Sequence, residues 1–128
     1  MFNTPFNDIR LKNKQEVLAL RFAGAPKNQL AIDTQFLIEN PLYTNKVGQQ
    51  KLIVLTDNTG ANRVYDPEEV LLIHYDQDTT LTDNKGNRWL LTEGALTAAD
   101  GKQLKRLPYH RAFWFGWYAT YPNTRLIK

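Results

Sequence analysis

The 128-residue chain contains no cysteine and no serine. The first absence removes disulfides, thiolate metal ligands, thiol nucleophiles and dithiol redox chemistry. The second removes serine nucleophiles and the strand-to-helix elbow that usually presents them. No glycine-rich phosphate loop occurs, neither G-x-G-x-x-G nor Gly-Lys followed by a hydroxyl residue. No apolar run approaches the roughly 18 residues that a membrane helix needs, so no membrane span is expected. The two histidines, His74 and His110, stand far apart and form no H-x-x-x-H ligand pattern. Asp76-Gln-Asp78 lacks the glycine and terminal glutamate of a calcium loop and reads as a solvated turn. Glu68 and Glu69 are adjacent, which on a strand would send them to opposite faces and make them a poor acid–base pair. Neither a metal nor a cofactor is expected.

What is present describes an ordinary globular domain. Apolar residues make up 42% and charged residues 23% of the chain, a composition able to bury a core without staples. The length fits one domain over residues 1–128. The net charge of +3 is small but uneven. Residues 101–128 hold Lys102, Lys105, Arg106, Arg111, Arg125 and Lys128 with no acid; residues 66–78 hold Asp66, Glu68, Glu69, Asp76 and Asp78 with no base. The cations are too sparse for a phosphate-tracking stripe and no recognition motif accompanies them, so nucleic acid is not expected as a partner. Met1–Asp8 is polar and carries no leader-like apolar region. The compartment stays open between the cytoplasm and export with a leader already removed.

Short strand-like runs alternate with turn chemistry. Glu16–Phe22 and Gln29–Ile32 read as strands around the turn Gly24-Ala-Pro-Lys-Asn28. Asp33 or Thr34 can cap a short helix over 34–39 that Pro41 ends. Lys51–Thr56 is an apolar, β-branched buried strand, and Asp57-Asn-Thr-Gly60 turns it into Arg63–Tyr65. Val70–Tyr75, Thr79–Thr82 and Arg88–Thr92 continue the series, the last two joined by the loop Asp83-Asn-Lys-Gly-Asn87. The expected class is α+β: mostly antiparallel sheet or a partly open barrel, with two small helices.

The second helix is expected near 109–120. Leu107–Tyr121 concentrates seven aromatic residues with His110 and Arg111. His110, Phe113, Trp114, Trp117, Tyr118 and Tyr121 recur at helical spacing, Pro108 suits a first turn, and Pro122 closes the segment. Rings of this number must be packed against something, because leaving them in water forfeits burial free energy. Gly116 within the helix suggests close approach of another backbone.

Four segments carry a resemblance to a known family: Asn45-Lys-Val-Gly-Gln-Gln-Lys-Leu-Ile-Val-Leu55, Thr56-Asp-Asn-Thr-Gly60, Arg63-Val-Tyr-Asp66, and Arg106-Leu-Pro-Tyr-His-Arg-Ala-Phe-Trp-Phe-Gly-Trp-Tyr-Ala-Thr-Tyr-Pro-Asn-Thr-Arg125. Together they resemble an uncharacterised bacterial domain family. Its members pair a Cys-Pro-Leu-Cys-Gly turn after a buried strand with a C-terminal Arg-Leu-Pro…Trp signature, and some are described as possible selenoproteins. The resemblance implies a shared scaffold and a binding surface around the turn. Thr56 and Thr59 stand where the cysteines would be, so a redox role does not carry over.

Two sets of residues are candidates for chemistry. The turn set is Thr56, Asp57, Asn58, Thr59 and Arg63, with Tyr65 behind it, presented at the end of a buried strand. The aromatic set is His110, Arg111 and Trp114, where a histidine beside a guanidinium could hold an anion or move a proton. The preferred expectation is a non-catalytic or catalytically degenerate binding domain for a small molecule or a protein. The alternatives are an enzyme using His110, Arg111 and a carboxylate such as Asp57 or Asp66, and a structural domain that self-associates through a strand edge or an aromatic patch.

Overall fold

A computed structural model describes residues 15–21, 29–92, 94–121 and 124–128. The expected turn at Gly24–Asn28 lies outside the described residues, as does Pro122. The strands are β1 (Glu16–Arg21), β2 (Gln29–Asp33), β3 (Leu42–Val47), β4 (Gln50–Thr56), β5 (Asn62–Tyr65), β6 (Leu72–Tyr75), β7 (Thr80–Asp83), β8 (Arg88–Leu91), β9 (Ala95–Ala98), β10 (Gln103–Lys105), β11 (His110–Phe113) and β12 (Arg125–Ile127). The helices are α1 (Thr34–Glu39) and α2 (Trp114–Thr120). The α+β class holds: the chain is rich in antiparallel strands, has two short helices, and forms no closed barrel among the described residues. It gathers into two compact units, one from the segments up to Phe36 and from Pro108 onward, the other from Leu37–Leu107.

The first unit is a four-stranded sheet in the order β11-β1-β2-β12, antiparallel except for the β2–β12 pair. Alternation along β1 puts Val17 and Ala19 on one face and Leu18 and Leu20 on the other, and all four are fully buried. Register sets Ala19 opposite Ala31 and Val17 opposite Ala112. These small side chains leave a shallow floor, and Trp114 and Trp117 of α2 pack into it. The Trp117 indole N–H donates to Thr124 Oγ1 at 2.9 Å, which satisfies the buried donor. Asp33 caps α1 by accepting from the Gln35 amide at 3.2 Å.

The aromatic helix is shorter than its ring spacing predicts. Residues 110–113 form β11, paired with β1, and the helix begins at Trp114. Pro108 therefore precedes a strand. His110 and Phe113 match helical spacing only in sequence, and Phe113 is 62% exposed. Gly116 also departs from expectation: among the described residues a Cβ placed there meets nothing within 4 Å beyond its own helix and chain neighbours, so none of their backbone approaches it.

The second unit holds a three-stranded sheet, β3-β4-β5, and a five-stranded one, β10-β9-β8-β7-β6. An isolated bridge between Tyr65 and Arg106 joins them edge to edge, supported by amide bonds from Asp66 to the Lys105 carbonyl and from Leu107 to the Val64 carbonyl. The two sheets contribute to one core of Ile53, Leu55, Tyr65, Leu72, Leu81, Trp89, Leu96 and Leu104. Gly48 takes the φ of 61° that the tight β3–β4 turn demands. Glu68 and Glu69 lie in the connection between β5 and β6 rather than on a strand.

Candidate functional site

One device recurs three times in the second unit. Asp57, Asp76 and Asp83 each begin a loop between antiparallel strands, and each folds its carboxylate back over that loop. Oδ1 of Asp57 accepts from the amides of Thr59 and Ala61 at 2.9 and 3.1 Å. Asp76 does the same with Asp78 and Thr80 at 2.8 and 3.0 Å. Asp83 does so with Lys85 and Asn87, both at 2.9 Å. Aspartate suits this position because its short side chain reaches the amides two and four residues ahead.

The Asp57 loop carries the sequence-predicted turn residues. Thr56 is buried at the end of β4, where its Oγ1 accepts from Asn62 Nδ2 at 2.8 Å. Thr59 is exposed, and its hydroxyl donates to Asp57 Oδ1 at 2.6 Å. Both threonine hydroxyls therefore brace the turn. Asn58 is exposed, and its amide donates to the Gln77 carbonyl at 3.1 Å, tying the Asp57 loop to the Asp76 loop. Arg63 Nη1 donates to Asp57 Oδ2 at 3.2 Å, with 38% of the arginine side chain exposed. Burial pushes the Asp57 carboxyl upward, but hydrogen bonds from the Thr59 hydroxyl, the Thr59 and Ala61 amides and Arg63 outweigh it and hold the pKa at about 2. The group is a carboxylate at any physiological pH.

Tyr75 completes this corner and was not singled out by the sequence. It is 8% exposed, and its hydroxyl has no hydrogen-bond partner among the described residues. Burial, then the charge of Asp57, push its pKa up to about 12, against the opposing field of Arg63. Tyr75 thus stays neutral and keeps its proton. The sequence placed it in a strand, but its closeness to the Asp57–Arg63 pair comes from pairing of loops distant in the chain.

The aromatic set behaves differently. His110 is exposed on β11, with its ring edge-on to Trp117 at 5.4 Å between centroids. Arg111 follows it on the same strand and so leaves the opposite face of the sheet, where Nη1 donates to Glu16 Oε1 at 2.6 Å. The two side chains do not converge on one point. Trp114 is fully buried and stacks on Tyr118 at 5.5 Å. Trp114, His110 and Arg111 belong to the first unit, and the Asp57 loop belongs to the second. No group of three or more His, Asp or Glu residues able to hold a metal ion occurs among the described residues. No helix among them is long and apolar enough to cross a membrane.

Comparison with curated proteins and with solved structures gives no match. A family model does match, over residues 1–124, and the chain belongs to that family, described as a protein of unknown function (DUF3179).

Proposed function

We propose that this chain is a non-catalytic binding domain, and that the corner made by Asp57, Arg63 and Tyr75 receives a carboxylate or similar anionic group of a small molecule or partner protein. The observation that carries the reading is the posture of Arg63. A single bond to Asp57 orients the guanidinium and leaves its other N–H groups without a partner among the described residues. Guanidinium N–H groups match the two oxygens of a carboxylate. The neutral Tyr75 hydroxyl is a buried donor without a partner among the described residues, within the field of the pair, and would meet a ligand only where the corner opens to admit it. Thr56 and Thr59 both spend their hydroxyls on bracing the turn, which favours a rigid presenting surface over a nucleophile.

A thermal-shift screen of small carboxylic acids and acidic peptides tests this. A ligand bound only by the folded state raises the melting temperature. The expected result is a saturable rise for the wild-type protein that Arg63→Gln abolishes. A rise of equal size in Arg63→Gln would move the site elsewhere. A second reading, self-assembly, draws on Leu71 and Ile73, which are 54% and 60% exposed at edge strand β6. Light scattering over a concentration series checks it, and a constant monomer mass rejects it.

A further inference from the structure

The opposite end of the five-stranded sheet holds a recess of about 370 Å³ lined by the β7–β8 loop, the β9–β10 loop and the β5–β6 connection. That volume suits a small organic molecule rather than a single ion. Lys85, Arg88 and Lys102 reach it, and none of the three has an ion-pair partner among the described residues. Of the three carboxylates at the recess, Asp83 is the one saturated with donors. Asp83 accepts from the amides of Lys85 and Asn87, from Asn87 Nδ2 at 3.2 Å and from the Trp89 indole at 3.1 Å. Asp100 accepts from the Lys102 amide at 2.9 Å, and Glu69 lies 3.8 Å from Lys51. The formal charges of the lining balance, and the donors left over at the recess are those of Lys85, Arg88 and Lys102. Val70 and Ala98 add apolar surface beside the charged groups.

We infer that this recess binds a small organic polyanion, one bearing two or more phosphate or carboxylate groups. Arg88 offers a fork for one oxyanion, and Lys85 and Lys102 offer point charges for another. The locked Asp83 loop and the short β9–β10 turn fix where these cations start, so little backbone ordering is needed on binding. The site stands independently of Arg63.

The test is a titration of the full chain with pyrophosphate and, separately, with citrate, read by tryptophan fluorescence and by melting temperature, against sodium chloride at matched ionic strength. The expected result is saturable binding of at least one probe, weakened about tenfold by each of Lys85→Gln, Arg88→Gln and Lys102→Gln and left unchanged by Arg63→Gln. Preference for pyrophosphate assigns a phosphorylated ligand, and preference for citrate a polycarboxylate. These side chains are exposed, so the variants should keep the parent melting temperature without ligand. A response equal to that of chloride, or one that survives in the triple variant, overturns the inference. Binding lost in Arg63→Gln but kept in the triple variant also overturns it and transfers the signal to the other corner.

Discussion

The carboxylate of Asp83 shows how one side chain can hold a loop and set a pH limit. Four donors converge on it, led by the Trp89 indole, and they hold its pKa at about 2 despite burial. The ordinary value is 3.8, so the folded state favours the ionised form. That contribution is complete above the ordinary value and disappears as pH falls through about 2. Asp57 follows the same course, and Asp76 is shifted in the same direction. Melting temperature is therefore expected to be flat near neutral pH and to fall between about pH 4 and pH 2. Asp83→Asn should melt lower than the parent at pH 6, with the gap narrowing toward pH 2 as the parent's carboxylate protonates. A gap independent of pH would mean that packing, not charge, is what Asp83 provides. The turns at Asp57 and Asp83 were legible in the sequence, because Asp-Asn-x-Gly between apolar runs marks a turn; the bracing carboxylate of Asp76, in a loop without Asn or Gly, was not. Tyr75 was not legible, since nothing in its own neighbourhood names Asp57 or Arg63 as neighbours.

At the scale of elements, α2 and the floor beneath it decide the stability of the first unit. Trp114 is fully exposed to packing and not to water, so Trp114→Ala should cost about 3–5 kcal/mol in unfolding free energy, measured by urea denaturation. Ala31 is fully buried in the cluster with both indoles, and Ala31→Leu should destabilise by about 1–3 kcal/mol through overpacking. Gly116 offers the opposite sign. Its site is open, so Gly116→Ala should stabilise by about 0.5–1 kcal/mol through helix propensity and a less disordered unfolded chain. Destabilisation there would mean that some backbone does approach this turn. The sequence showed β1, β2 and β4 to β8 because apolar runs and turn residues frame them. It hid β3, whose centre is Thr44-Asn45-Lys46, and β9, where two of four residues are alanine. It misread β11, because rings belonging to α2 extend a helical rhythm backward through His110 and Phe113. That strand exists through long-range pairing with β1, which local spacing does not encode.

On the scale of the whole molecule, the chain builds one unit from its two ends and another from the segment between them. The uneven charge noted in the sequence is distributed over both: acidic residues 66–78 and the cations Lys102 and Lys105 fall in the second unit, while Arg111 and Arg125 fall in the first. This architecture does not by itself assign a function, because one scaffold can host many activities. The second unit places Arg63 beside Asp57 at one loop, and Lys85, Arg88 and Lys102 around a recess whose lining also holds Glu69, Asp83 and Asp100. Both lie at loops that an aspartate carboxylate bridges.

The most direct measurement is an amide NMR titration of the full chain with a series of small carboxylates. Binding at the Asp57 corner predicts saturable shifts confined to Asn58, Thr59, Ala61 and the Arg63 Nε–H, all lost in Arg63→Gln while the rest of the spectrum is preserved. Shifts scattered over the surface, or the same pattern persisting in Arg63→Gln, would contradict it.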